Sequence, residues 1–114
     1  MAHRREIPDN PLRFIKRCLG ERRILWTYHV NMRLRGRFIS REQILGAIDT
    51  FEIIEEYPKD KYLPSYLVCA ESGGSPIHLL VAVDVLNENI RIVTAYHPSS
   101  EEWKKDYRRR RQLK

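Results

Sequence analysis

The feature that most constrains this chain is a change of hydrophobic period near residue 51. Before it, apolar side chains recur every three to four residues; after it, they alternate in four runs separated by turn-forming residues. The runs are "FEIIEEY" (51–57), "SYLVCAE" (65–71), "IHLLVAVD" (77–84) and "NIRIVTAY" (89–96). A period of two predicts strands. The links "PKDKYLP", "SGGSP" and "VLNE" are short and turn-like, so consecutive strands are expected to pair antiparallel as a meander.

The helical half carries its own punctuation. Asn10 is placed to cap a helix with Pro11 at its first position, and Gly20 is placed to stop it; Leu12, Ile15 and Leu19 give its apolar spacing. A second helix is expected from about Thr27 to about Gly36. Trp26, Val30 and Leu34 form its apolar stripe, and His29 and Arg33 lie together beside it. In a third, Ser40 and Gln43 have capping-box spacing, Ile39 and Ile44 have that of a hydrophobic staple, and the end falls near Asp49 and Thr50. Ser99 and Glu102 are spaced to cap a last short helix carrying Trp103 and Tyr107. The expected architecture is α+β: N-terminal helices packed on a four-stranded antiparallel sheet, with a short C-terminal helix. The expected organisation is one domain over 1–114, its core from about 10 to 107 and a basic tail at 108–114.

An apolar fraction of 42% suits a folded chain rather than a disordered one. No run reaches the length of a membrane span, and the opening "MAHRREIPDNP" lacks the apolar core of a signal peptide. A cytoplasmic location and no membrane partner are therefore expected. Cys18 and Cys69 read as small core fillers, and the four histidines lack ligand spacing, so neither a metal nor a cofactor is expected. The formal charge of +6 conceals segregation. Residues 1–41 hold 11 Lys/Arg and 3 acids, residues 42–103 hold 3 and 11, and residues 104–114 hold 7 and 1. Such blocks suit a polyanionic partner, and they equally suit basic ends folded back on the acidic middle.

Strand alternation narrows the candidates. Pairing Val83 with Ile90 across the last hairpin puts Ile77, Leu79, Val81, Val83, Ile90 and Ile92 on the face toward the helices. The other face then carries His78, Leu80, Ala82, Arg91, Val93, Ala95 and His97, with His78 and His97 as diagonal neighbours. Metal-free RNA cleavage needs a base for the 2′-hydroxyl, an acid for the leaving oxygen and a cation for the phosphate. His29, His78 or His97, Arg33 or Arg91, and Tyr96 can supply that set. Each also has a structural reading: a helix-capping His29, a neutral core His78, a loop His97, a core Tyr96 with a wet hydroxyl, and solvated arginines.

The same residues form a longer pattern. His29, Arg33, Gly36, then Ile39 and Ser40 opening a helix, "EIIEEYP", "SYLV", Pro76-Ile77-His78 and the closing Val93 to Pro98 follow in order. Over about residues 28–98 this resembles the family called domain of unknown function 4258. The resemblance implies a relation to RelE-like and BrnT-like toxins of toxin–antitoxin systems, many of them metal-independent ribonucleases with a RelE/barnase-like fold. It implies His29, Arg33, His78 and Tyr96 as the catalytic positions. It also implies an antitoxin partner, of a zinc-finger MqsA-like kind. The expectation is thus a toxin-like ribonuclease acting on RNA, with Arg35, Arg37, Arg91, His97, Arg108 and Arg109 as nucleic-acid contacts. The competing expectations are a non-catalytic nucleic-acid-binding module and a protein-interaction module.

Overall fold

The computed structural model describes residues 7–36 and 39–111; within the second helix it describes the backbone, but not the side chains, of Tyr28, His29, Met32 and Arg33. Arg37 lies outside the described residues. Helix α1 (Pro11–Gly20) starts as its sequence requires: the Asn10 side chain accepts from the Arg13 N–H at 3.0 Å, with Pro11 in the first turn. Phe14, Ile15, Cys18 and Leu19 form its buried stripe. Strand β1 (Ile24–Trp26) follows, and then α2 (Tyr28–Gly36), opened by Thr27, whose hydroxyl accepts from the Val30 N–H at 3.1 Å. Helix α3 (Arg41–Gly46) has both halves of its capping box, Gln43 N–H to Ser40 Oγ at 3.0 Å and Ser40 N–H to Gln43 Oε1 at 2.7 Å. A 3₁₀ turn (Ile48–Thr50) leads into β2 (Glu52–Tyr57), β3 (Ser65–Ser72), β4 (Ser75–Asp84) and β5 (Asn89–Tyr96).

The sheet has five strands in the order β1-β5-β4-β3-β2, and it is mixed. This corrects the expectation of a four-stranded antiparallel sheet under N-terminal helices. The meander β2 to β5 forms, but β1 adds a parallel pair at the far edge, with Ile24 opposite Ile90 and Trp26 opposite Ile92. Trp26 therefore belongs to a strand rather than to the stripe of α2. Three residues are too few to show a period, and a parallel neighbour 66 positions away leaves no local signal. The class remains α+β, with three short α-helices among the described residues.

The helices lie on one face. Val30, Leu34 and Ile44 join Ile15 and Leu19 in a core closed by Tyr66, Val68, Ile77, Leu79, Val81, Ile90 and Ile92 of the sheet. Each fully buried aliphatic side chain there contributes about 1.5–3 kcal/mol. The β3–β4 hairpin closes on Gly73 and Gly74 at φ +58° and +82°, left-handed conformations that fit the right-handed twist of the strands.

Among the described residues, 99–111 do not form the expected C-terminal helix. Residues 99–103 make one turn, with the Trp103 N–H bonded to the Ser99 carbonyl at 3.0 Å, and the chain then doubles back. Trp103 and Arg110 form an isolated antiparallel bridge, flanked by Lys104 N–H to Arg109 O and Arg111 N–H to Glu102 O, each at 2.8 Å. Trp103 is 1% exposed, which anchors this arm on the sheet. Arg108 reaches Glu52 at 2.5 Å, and Arg110 reaches Glu55 at 2.7 and 3.1 Å. The capping spacing of Ser99 and Glu102 thus yields to tertiary anchoring: a straight helix would carry these arginines away from the acids of β2.

Candidate active site on the second face of the sheet

Two bulges decide which side chains share the face away from the helices. In β5, Val81 pairs with Ile92 but Leu80 pairs with Thr94, so Val93 is an extra residue. Beyond it the alternation inverts: Ala95 enters the core opposite Leu79, and Tyr96 stands opposite His78. The expected diagonal of His78 with His97 is therefore replaced by a direct pair of His78 with Tyr96. In β2, Val68 pairs with Ile53 but Leu67 pairs with Glu55, so Ile54 is extra and Glu55 turns to the same face. Glu52, Cys69, His78 and Tyr96 form one row across the sheet, and Glu55, Leu67, Leu80 and Thr94 form the next.

His78 is the centre of this face. It is wholly buried, between the sheet and the arm, with the Trp103 ring edge-on at 4.4 Å between centroids. Its Nε2 lies 2.6 Å from the main-chain carbonyl of Tyr107. A carbonyl only accepts, so Nε2 carries the proton and Nδ1 presents its lone pair. Nδ1 faces the Tyr96 hydroxyl at 3.3 Å, which donates to it. Burial lowers the His78 pKa, against the opposing pull of the Tyr107 carbonyl, so the ring is neutral near pH 7. Burial raises the Tyr96 pKa.

Beside this pair, Arg110 binds the Glu55 carboxylate through Nε and Nη2 and stacks over the Trp103 ring at 4.6 Å. Tyr57 donates its hydroxyl to the same carboxylate. The bond to Arg110 holds the Glu55 carboxyl below its ordinary range, and the bond to Glu55 raises the Tyr57 pKa. Tyr57, Tyr96, Arg110 and the loop Pro58–Asp60 wall a cleft of about 610 Å³, floored by Leu67, Leu80 and Thr94. That volume is in the range of small-ligand sites.

His78 and Tyr96 are thus brought together. His29 and Arg33 sit on α2, whose Val30 and Leu34 pack into the core on the opposite face; their side chains lie outside the described residues. His97 is exposed, its Nδ1 3.4 Å from the Pro76 carbonyl, and Arg91 stands two rows from His78, 3.7 Å from Asp84. Arg35 is exposed on α2. Arg108 is engaged by Glu52, and Arg109 by Asp106 at 3.1 Å. The sequence reasoning missed Glu55, Tyr57, Trp103 and Arg110. The i, i+2 spacing of Glu55 and Tyr57 was a usable signal for a shared face; for Trp103 and Arg110 there was none. Among the described residues, no group of three or more His, Cys, Asp and Glu side chains is arranged to hold a metal, and no helix is long and apolar enough to cross a membrane.

No curated protein and no solved structure matches this chain significantly. A family model described as "Domain of unknown function (DUF4258)" matches residues 26–97, which include the last residue of β1, the helices α2 and α3, and the strands β2 to β5 with His78 and Tyr96. The match spans more than half of the sequence, and the chain belongs to the DUF4258 family.

Proposed function

We propose that this chain cleaves RNA by general acid–base chemistry at the cleft, with the Tyr96–His78 pair as its proton acceptor. The observation that carries the reading is that Tyr96 lines the cleft and its hydroxyl is bonded to a histidine nitrogen whose partner nitrogen is fixed by a carbonyl. A 2′-hydroxyl in the cleft gives its proton to Tyr96 as the Tyr96 proton passes to Nδ1. The 2′-oxygen attacks phosphorus, the P–O5′ bond breaks, and the 5′-oxygen takes a proton from water; the imidazolium returns its Nδ1 proton to Tyr96 as the Tyr96 hydroxyl gives its own to the resulting hydroxide. Arg110, in the cleft wall, faces the charge that builds on phosphate. Under this reading the chain is the toxin of a toxin–antitoxin pair, akin in role to RelE-like and BrnT-like proteins, and a neutralising antitoxin is its protein partner.

The test is incubation of structured and unstructured RNA with wild type and Tyr96→Phe in excess chelator, repeated with translating ribosomes. Ends bearing 2′,3′-cyclic phosphate, formed at least about a hundredfold more slowly by Tyr96→Phe, support the reading. His29→Ala and Arg33→Ala run beside it, because the family pattern implicates both positions. Loss of cleavage in those variants with Tyr96→Phe active moves the chemistry to α2. One observation favours a second reading, a binding module without chemistry: Arg108 and Arg110 are already matched by Glu52 and Glu55. Salt-sensitive RNA binding with no cleavage by any form selects it.

A further inference from the structure

The charges lining the cleft cancel, while the arm at its side does not balance. Glu56 and Asp60 stand against Lys59 and Arg110 among the lining residues, and the floor is Leu67 and Leu80. Residues 104–111 carry six Lys and Arg and only Asp106 as an acid; Glu52 and Glu55 match two of the cations, and Asp106 a third. Lys104, Lys105, Arg109 and Arg111 are exposed. In the bridge of Trp103 with Arg110, Arg110 covers the Trp103 ring and reaches into the cleft wall. Arg109 pairs with Asp106, and Arg111 donates to the Ser100 carbonyl.

A site divided in this manner separates two chemistries. The cleft, with no net charge, an apolar floor and a tyrosine on either side, suits an uncharged planar group. The arm suits a row of phosphates. A nucleotide in a single strand offers both at once, whereas a duplex keeps its bases stacked inside. We propose that the cleft receives one unpaired nucleobase and that the arm cations carry the phosphates flanking it. The substrate class of the site is therefore single-stranded nucleic acid with a splayed base. This rests on the cleft described above but not on its chemistry, since a base can bind where nothing is cleaved.

The experiment uses Tyr96→Phe, so that bound RNA is not consumed, and fluorescence anisotropy of labelled probes across a salt series. The probes are a short single strand, the same sequence as a duplex, and an abasic strand of equal length. The single strand is expected to bind roughly tenfold or more tighter than the abasic strand, as the loss of one stacked base predicts, and tighter than the duplex. Leu80→Phe, which fills the floor, is expected to erase the preference over the abasic strand and leave the salt slope intact. The double variant Lys104→Ala/Lys105→Ala is expected to lower the salt slope by up to about two while keeping the base preference. Circular dichroism of each variant confirms folding, and the arm variant remains a test should Leu80→Phe fail to fold. Equal affinity for the three probes overturns the proposal, as does equal displacement of the single strand by an acidic peptide and by abasic strand, which marks a surface for polyanions alone. A base preference without cleavage by wild type leaves this inference standing and removes the ribonuclease reading. Cleavage without base preference does the reverse.

Discussion

The arm stands or falls with Trp103. Its indole is 1% exposed, between the second face of the sheet, where it meets His78 edge-on, and the Arg110 guanidinium above it. Replacing a buried tryptophan by alanine costs about 3–5 kcal/mol. The other fastenings are weaker. The Arg108–Glu52 and Arg110–Glu55 pairs are partly exposed, at 34%/54% and 52%/22%, so each is worth about 0.2–1 kcal/mol, and the His78–Tyr107 hydrogen bond about 1 kcal/mol. Trp103→Ala is therefore expected to lower stability by about 3 kcal/mol or more in urea unfolding, against less than about 1 kcal/mol for Glu52→Gln. A second readout is local. With the indole gone, water reaches His78, and its lowered pKa should return toward the ordinary histidine value near 6.5, measurable by NMR titration of the ring protons. If Trp103→Ala costs no more than Glu52→Gln, or if the His78 titration does not move, then the arm is held by its ion pairs and the burial argument is refuted.

Three further outcomes follow from the same packing. Below about pH 6.5 the unfolded chain takes up a proton on residue 78 that the folded chain refuses. Stability should therefore fall as pH drops from there toward the lowered folded pKa, by at most about 1.4 kcal/mol per unit, with no contribution above it. Urea unfolding at pH 7.5 and 5.5 checks this, and the slope should shrink in His78→Gln. Gly73→Ala and Gly74→Ala should each cost about 1 kcal/mol, for conformation alone, because an added Cβ meets nothing within 4 Å; unchanged unfolding midpoints would refute the turn geometry. Ser40→Ala removes the acceptor for the Gln43 N–H and should cost about 1 kcal/mol, with helical circular dichroism otherwise retained.

Where one short segment contained its own signal, the sequence was legible. Asn10 with Pro11, Ser40 with Gln43, and the paired glycines each specify structure through atoms three or fewer residues apart, and all three behave accordingly. The Val83–Ile90 register was likewise legible, because a short turn and the alternation on both sides admit few pairings. Strand β1 was not, since its hydrogen bonds go to a strand far along the chain. The arm was misread for a related reason: local capping spacing favoured a helix, and the opposing forces were a tryptophan seeking the sheet and arginines seeking Glu52 and Glu55.

The candidate site failed to show itself at the bulges, and this matters most for function. Strict alternation from Ile92 sends Tyr96 to the helical face, and strict alternation from Ile53 sends Glu55 there too. One extra residue in each strand, Val93 and Ile54, reverses both. Neither bulge is signalled by glycine, since each extra residue is an ordinary β-former whose side chain sits at the surface or half-buried. Yet without the first, His78 would face no hydroxyl, and without the second, Arg110 would have no carboxylate to hold it over Trp103. The two irregular pairings bring an acid, a tyrosine and a histidine onto one face, and the arm then supplies the carbonyl that fixes the histidine's tautomer. Bulges gather at functional sites because they re-aim side chains at the cost of a ladder bond. Two of them, on strands separated by β3 and β4 and both turned to one cleft, make that cleft the first place to test by substitution in this chain.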